Sequence, residues 1–173
     1  LEAAKTVLGH LLDIPGPSKI ITTAALGAPI YARCFDNDRF GVALWGLTGT
    51  LKSSMIKKIM CIYGIGYIED VNLLKFGRNN STLVAMQEIL AGAGILPVPV
   101  DNVKAVDPKD YQQYVSMIHN VTEGGDKLRS KKDGGLRDNK PYHCTPIITG
   151  EIKPEEASTS ARVLNLKWEK PSS

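Results

Sequence analysis

Two glycines, a lysine and two serines separate an apolar run, residues 40–45, from an amphipathic run that follows them. Glycine lets the backbone curl so that its N–H groups point inward and form a nest for anionic oxygens. A helix that begins at the same point adds partial positive charge. The order of strand, glycine turn, Lys-Ser and helix therefore predicts a phosphate-binding loop, with these candidate binding residues: Gly46, Leu47, Thr48, Gly49, Thr50, Leu51, Lys52, Ser53 and Ser54. Residues 46–54 are called the glycine loop below.

The chemistry expected of this loop is the binding of ATP with Mg²⁺. Lys52 would reach the β- and γ-phosphates, and the Ser53 hydroxyl would hold the metal. The usual pattern has glycine directly before the lysine, where this chain has Leu51. We expect Leu51 to be tolerated with a negative φ and a side chain that points away from the phosphates. The alternative interpretation is an ordinary loop followed by a helix start.

Length and composition place the chain among ordinary globular proteins. Its 173 residues suit one domain with a sizeable core, and a net charge of +3 does not by itself imply a nucleic-acid partner. Three widely spaced cysteines without a Cys-x-x-Cys pair favour reduced thiols in the cytoplasm over disulfides or a zinc site. No apolar run approaches the length of a membrane span. Because the chain begins with Leu, we expect it to be part of a longer protein.

Strands and helices alternate after residue 40, which predicts the α/β class with a parallel sheet covered on both faces. We predict strands over residues 40–45, 71–76, 95–100, 145–149 and 162–168, the third despite two prolines. Helices are predicted over 2–12, 19–26, 54–63, 81–90 and from 107 to about 122, with Pro29 limiting or kinking the second. The fourth is expected to bury Leu83, Val84, Met86, Ile89 and Leu90. We expect residues 1–35 to form a helical lead-in packed on the core and residues 36–173 to form the core.

Further polar residues follow the predicted strands, at the edge where ligands bind in parallel sheets. Asp101 would organise Mg²⁺; the alternative is an acid that caps the loop. Asn102 follows, where a glutamate usually activates the attacking water, and an amide cannot accept that proton. Thr149 would sense the γ-phosphate or the water, or else satisfy local backbone. Glu151 is a possible substitute base, although an exposed loop acid is the simpler interpretation.

Two basic features complete the candidate set. Arg162 opens the last predicted strand and would act on the nucleotide of a neighbouring subunit, unless it is a plain surface arginine. Residues 125–140 are rich in lysine and arginine around Asp133-Gly134-Gly135, which suggests a β-hairpin with basic sides. Such a hairpin can contact nucleic-acid phosphates, but a solvated loop has the same composition. Its candidate contacts are Lys127, Arg129, Lys131, Lys132 and Arg137.

The order of these motifs resembles helicase-like P-loop ATPases of plasmids, viruses and integrated elements, which are similar to superfamily-three helicases and, more distantly, to AAA+ proteins. The resemblance covers about residues 20–168 and includes the glycine loop, Asp101, the basic segment, Ile147-Ile148-Thr149-Gly150-Glu151 and Ala161-Arg162-Val163. It implies a three-layer α/β P-loop NTPase core, binding of ATP and Mg²⁺, a homo-oligomeric ring, and a hairpin that touches DNA in the central pore. Asn102 departs from the acidic pair of that family.

The resulting hypothesis is an ATP-hydrolysing motor of a DNA replication helicase or primase-helicase. Its proposed catalytic residues are Lys52, Asp101, Asn102, Thr149 and Arg162, and the metal ligands are Ser53 and Asp101. Two alternatives stay open. One is a nucleotide-binding scaffold or switch without turnover, which Asn102 favours. The other is a small-molecule kinase that uses the basic segment as a lid.

Overall fold

A computed structural model describes residues 2–13, 16–34, 39–64, 66, 74–75, 83–104, 108–125 and 141–169. Five strands form one sheet: β1 is Gly41–Trp45, β2 Leu74–Lys75, β3 Pro97–Val103, β4 Thr145–Gly150 and β5 Val163–Lys167. Their spatial order is β2-β3-β4-β1-β5, and each neighbouring pair is parallel. The order places β4 between β1 and β3, so the strands that carry the glycine loop and Asp101 both flank it.

Six helices accompany the sheet: α1 is Glu2–Asp13, α2 Pro17–Cys34, α3 Lys52–Met60, α4 Leu83–Gly92, α5 Pro108–Thr122 and α6 Ala157–Ser160. One core cluster packs α2 and α3 against one face of the sheet, through residues such as Ile21, Ile56 and Val42. A second cluster packs α4 and α5 against the other face, through Met86, Ile118 and Ile148. This is a three-layer α/β fold, in which the glycine loop joins β1 to α3. None of the helices in the described ranges is long and apolar enough to cross a membrane.

Helix α2 is longer than predicted, because Pro29 lies inside it without ending it. Proline has no N–H, so the carbonyl of Ala25, four residues earlier, loses its usual helical donor. The Tyr63 hydroxyl, just beyond the end of α3, donates to that carbonyl at 2.6 Å. A side chain from a neighbouring element therefore supplies the hydrogen bond that the proline removes, and the predicted end of the helix at residue 26 was wrong.

Strand β3 confirms a strand in this region, but it begins at Pro97 instead of residue 95 and extends to Val103. Pro97 and Pro99 lie two residues apart, so both missing N–H groups belong to the same side of the strand. The described pairing with β2 begins only at Val100. Of the predicted second strand, only Leu74–Lys75 falls within the described residues.

Helix α4 buries fewer residues than predicted. Met86 and Leu90 are 1% exposed, whereas Val84 is 47% and Ile89 48% exposed. Residues four apart share one helix face, and a helix packed on a sheet buries one such stripe. The burial of Val84 and Ile89 was therefore a wrong prediction: in a helix this apolar throughout, the pattern does not indicate which stripe faces the sheet.

Candidate functional site

The glycine loop encloses the side-chain amine of Lys52. Lys52 Nζ donates to the carbonyl oxygens of Gly46 at 2.8 Å and Leu47 at 2.7 Å, and to Thr50 Oγ1 at 3.2 Å. Thr50 Oγ1 in turn donates to the Leu47 carbonyl at 2.8 Å. As a result Lys52, the first residue of α3, is only 8% exposed. Its amine would have to leave these loop carbonyls to bind a phosphate.

Burial and the neighbouring carboxylates act on the pKa of the Lys52 amine in opposite directions. Burial lowers the pKa of the Lys52 amine. The carboxylates of Glu151 and Asp101 oppose that shift, and the nearby charge of Lys104 adds to it. A phosphate beside the amine would offset the burial effect, because an opposite charge stabilises the ammonium form.

Leu51 corrects one expectation about the loop. Its φ is +66°, in the left-handed region, and not negative. Gly49, two residues earlier, is left-handed as well, with φ +79°. This backbone costs a residue with a side chain about 1–2 kcal/mol, which explains why glycine is customary before the lysine. The Leu51 side chain is 59% exposed, so little burial offsets that cost.

Three predicted residues from three different elements meet at one carboxylate oxygen. Ser53 Oγ, in the first turn of α3, donates to Asp101 Oδ1 at 2.6 Å. Thr149 Oγ1, near the end of β4, donates to the same oxygen. The adjacency follows from the parallel register, in which Val100 of β3 pairs with Ile148 of β4 and brings the next residues side by side.

Asn102 lies next to this cluster in a strained part of the strand. Its φ is +63°, and the register of β3 against β4 shifts between Val100 and Val103. Its backbone N–H donates to Thr149 Oγ1 at 3.2 Å, and the residue is exposed. Asparagine tolerates the left-handed conformation better than glutamate does. The local backbone therefore suits asparagine at this position.

Glu151 links the glycine loop to the ends of β3 and β4. Its carboxylate accepts a hydrogen bond from Thr48 Oγ1 and pairs with Lys104 Nζ at 3.1 Å. The Thr48 hydroxyl and the Lys104 amine together lower the pKa of the Glu151 carboxyl. Its backbone N–H donates to the Val103 carbonyl at 3.2 Å. Glu151 is therefore a carboxylate at neutral pH and a weak proton acceptor.

These residues line a cleft of about 260 Å³ at the carboxyl ends of the strands. Its lining comprises Thr48, Gly49, Thr50, Leu51, Lys52, Ser53, Ser54, Asp101, Asn102, Lys104, Thr149, Gly150 and Glu151. In the described part of the chain, no three His, Cys, Asp or Glu side chains cluster as metal ligands. A single carboxylate beside a hydroxyl fits Mg²⁺, which keeps waters and phosphate oxygens as its other ligands.

The structure places the remaining predicted residues away from the cleft or leaves them undescribed. Arg162 precedes β5, and its carbonyl accepts from the N–H of Gly41 at the amino end of β1, the edge opposite the glycine loop. Its guanidinium donates to the Ser158 carbonyl at 2.7 Å and to Glu123 at 3.2 Å. Lys127, Arg129, Lys131, Lys132 and Arg137 lie outside the described residues.

The sequence analysis missed two residues: Lys104, which lines the cleft, and Trp168, which contacts the glycine loop outside the cleft lining. Lys104 lies directly after β3, and a search for polar residues beyond strand ends would have included it. Trp168 Nε1 donates to the carbonyl of Thr50 in the glycine loop at 2.6 Å. No local pattern signals that contact, since the two residues are 118 positions apart.

Comparisons with known proteins give a family but not an activity. The search of curated proteins found no match. A solved structure with a similar chain is that of NtrX from Brucella abortus in complex with ADP, at a TM-score of 0.38 and 12% sequence identity. The alignment covers 96% of this chain and 40% of the NtrX chain, so this chain spans about two fifths of NtrX.

The family comparison covers most of the chain. One family model matches residues 17–141, which include the glycine loop and Asp101 and end before β4. Because the match spans more than half of the 173 residues, the chain belongs to the family described as "Domain of unknown function (DUF927)".

Proposed function

We propose that this domain binds ATP with Mg²⁺ and hydrolyses it as the motor of a DNA replication helicase or primase-helicase. One observation carries the nucleotide part of the proposal: Ser53 and Thr149 donate to one oxygen of Asp101 beside a loop that encloses Lys52. A lysine, a hydroxyl and a carboxylate at the end of a glycine loop form the set of groups that binding of a metal-bound triphosphate requires.

Each residue has a role that its present contacts support. The loop N–H groups would cradle the phosphates, and Lys52 would exchange the carbonyls of Gly46 and Leu47 for phosphate oxygens. Ser53 and Asp101 would hold Mg²⁺, which supplies charge stabilisation at the phosphates when bound. Thr149, already bonded to Asp101, would orient the γ-phosphate or the attacking water.

Proton transfer is the step for which the cleft is least equipped. The Asn102 amide can orient a water but cannot accept its proton. Glu151 is the remaining carboxylate of the lining apart from Asp101, and its lowered pKa makes it a weak base. We therefore expect turnover to be slow.

A nucleotide-binding switch or scaffold without turnover is the second candidate. The backbone at Asn102 favours it, because φ +63° suits asparagine and disfavours a glutamate base at that position. This candidate predicts tight nucleotide binding with no phosphate release.

ATP turnover with and without single-stranded DNA separates the candidates. The variants are wild type, Lys52→Ala and the matched control Lys58→Ala, which truncates an exposed lysine on the same helix. We expect Lys52→Ala to lose nucleotide binding by at least about 100-fold, while Lys58→Ala binds as wild type does. The Tm of each variant shows whether it is folded.

The outcomes of this experiment are distinct. Turnover stimulated by DNA supports the motor, whereas binding without turnover supports the switch. Turnover that is indifferent to DNA, with phosphate transferred to a small acceptor, would identify a kinase. Unchanged nucleotide binding in a folded Lys52→Ala variant would refute the nucleotide site itself.

The DNA contact is proposed for the basic segment that follows α5. Its flanking residues Gly125 and Pro141 form an antiparallel bridge. In this proposal the segment meets DNA phosphates in a homo-oligomeric ring, and Arg162 acts across the subunit boundary. Neutralising Arg129, Lys131 and Lys132 should weaken DNA binding and flatten its salt dependence. Unchanged affinity would exclude the segment.

A further inference from the structure

Trp168 lies directly after β5, beside the start of the glycine loop. Its backbone N–H donates to the carbonyl of Trp45 at 2.8 Å, which continues the pairing of β5 with β1. The residue is 4% exposed and belongs to the core cluster under α3. Its backbone is therefore held by β1, and the residue belongs to the buried core.

The glycine loop packs directly on this tryptophan. A Cβ on Gly46 would lie 2.2 Å from the Trp168 carbonyl oxygen, closer than any real contact. Gly46 is not among the described residues with positive φ. Its missing side chain thus serves close packing against Trp168, and Gly49 and Leu51 supply the left-handed turns.

The second contact is a hydrogen bond to the turn itself. Trp168 Nε1 donates to the Thr50 carbonyl at 2.6 Å, and both groups are buried. In a trans peptide the C=O and the following N–H point in opposite directions. With the Thr50 carbonyl held toward Trp168, the N–H of Leu51 points away from it, and Leu51 lines the cleft.

We propose that Trp168 is a positioning residue of the glycine loop: through its indole N–H it orients the Thr50–Leu51 peptide so that the Leu51 N–H can bind a nucleotide phosphate. This inference rests on the proposed nucleotide-binding function and adds a residue to it. Trp168 touches no ligand in this role and acts only through the loop.

The hydrogen bond from Trp168 to the Thr50 carbonyl is most important when a nucleotide binds. Lys52 now holds the loop from inside through Gly46, Leu47 and Thr50. When the amine transfers to a phosphate, those bonds are lost. The bond from Trp168 is made from the outside, so it can persist and keep the left-handed turn at Leu51 in place.

The test compares two tryptophans that undergo the same substitution. Trp168→Phe removes the indole donor from the loop, whereas Trp45→Phe removes an indole whose Nε1 has no hydrogen-bond partner within the described structure. We expect Trp168→Phe to weaken both ADP and ATP binding about tenfold, since a buried hydrogen bond is lost. Trp45→Phe should change each affinity less than twofold. Binding is measured by calorimetry, and the Tm is recorded for each variant.

A second variant separates the hydrogen bond from the shape of the ring. Benzothienylalanine at position 168 keeps the bicyclic outline and replaces the N–H by sulfur, so it decides the matter even if Trp168→Phe does not fold. We expect it to bind ADP as weakly as Trp168→Phe does, with a Tm closer to wild type. Wild-type affinity in this variant would overturn the inference alone. If wild type itself binds no nucleotide, the inference and the proposed function fail together.

Discussion

Helix α2 and the glycine loop each contain a residue that local geometry disfavours, Pro29 inside a helix and Leu51 at φ +66°. In α2 a partner compensates for the disruption, because the Tyr63 hydroxyl donates to the carbonyl that Pro29 leaves without a donor. At Leu51 the left-handed backbone persists under a largely exposed side chain, and little burial offsets its cost. In α2 a hydrogen bond thus replaces the missing donor, whereas at Leu51 the unfavourable φ itself remains.

The difference has a functional meaning under the proposed activity. The energetic penalty of Pro29 lies in α2, a helix that supports the sheet. It lowers stability without aiding the binding of a ligand, so a compensating contact is expected there. A penalty at a binding cleft persists where the surrounding structure over-determines the backbone, and such sites are often functional. Asn102, on the other side of the same cleft, is also left-handed at φ +63° but carries a residue type that tolerates it. Four measurements can sharpen or break this contrast.

The largest effect is expected when the Tyr63 hydroxyl, which compensates for Pro29, is removed. Tyr63→Phe should lower the free energy of unfolding by about 2 kcal/mol, because the buried carbonyl of Ala25 is left without a partner. Denaturant unfolding measures the change. In a Pro29→Ala background the helix regains its own donor, so the same substitution should cost clearly less. Equal cost in both backgrounds would show that Tyr63 does not compensate for the proline.

The next effect concerns the strand end. Asn102→Glu should lower the free energy of unfolding by about 1 kcal/mol, because glutamate is disfavoured at positive φ. It should also fail to raise ATP turnover, since the carboxylate would be carried on a strained backbone. Asn102→Gly is the matched control and should be close to neutral. A stable Asn102→Glu variant with faster ATP turnover would contradict the explanation that the backbone at position 102 disfavours glutamate.

A smaller effect of opposite sign is expected in the glycine loop. Leu51→Gly removes a left-handed cost of about 1–2 kcal/mol and adds about 0.5–1 kcal/mol of unfolded-chain entropy, so stability should rise slightly. Leu47→Gly is the control: Leu47 is 81% exposed and is not among the described positive-φ residues. It carries the entropy cost without the relief, and stability should fall. If both variants changed stability in the same direction, strain at Leu51 would not explain the difference between the two regions.

The smallest expected effect is a pH dependence of the Tm. It comes from the Glu151 carboxylate, which accepts a hydrogen bond from Thr48 of the glycine loop. Hydrogen bonds from Thr48 and Lys104 lower the pKa of Glu151, so its contribution is present above its ordinary pKa of 4.5 and is lost as the pH falls through the lower, folded-state value. The difference in Tm between wild type and Glu151→Gln should be small and positive at pH 7 and should shrink below pH 4.5. A difference that does not change with pH would mean that the charge of Glu151 does not tether the loop.

The sequence predicted the alternating architecture and much of the candidate site. Apolar runs before Gly46 and Asp101 are strands β1 and β3, and the parallel sheet brings Ser53, Asp101 and Thr149 together as expected. Prediction from the sequence was less accurate where one sequence pattern is compatible with two structures. Pro29 does not end its helix, because a distant hydroxyl replaces the lost donor, and the apolar α4 does not indicate which of its faces is buried.

Sequence patterns extend over a few residues, so they predicted the features that depend on a few neighbouring residues. These are the glycine turns, the start of α3 at Lys-Ser and the polar groups at strand ends. The order β2-β3-β4-β1-β5 decided the rest. It places Thr149 against Asp101, and it places β5, with Trp168 after it, beside β1, while the packing of α2 against α3 places Tyr63 at the Ala25 carbonyl. The physical reason is that these hydrogen bonds join residues 38 to 118 positions apart, and only the packing of strands and helices sets those distances.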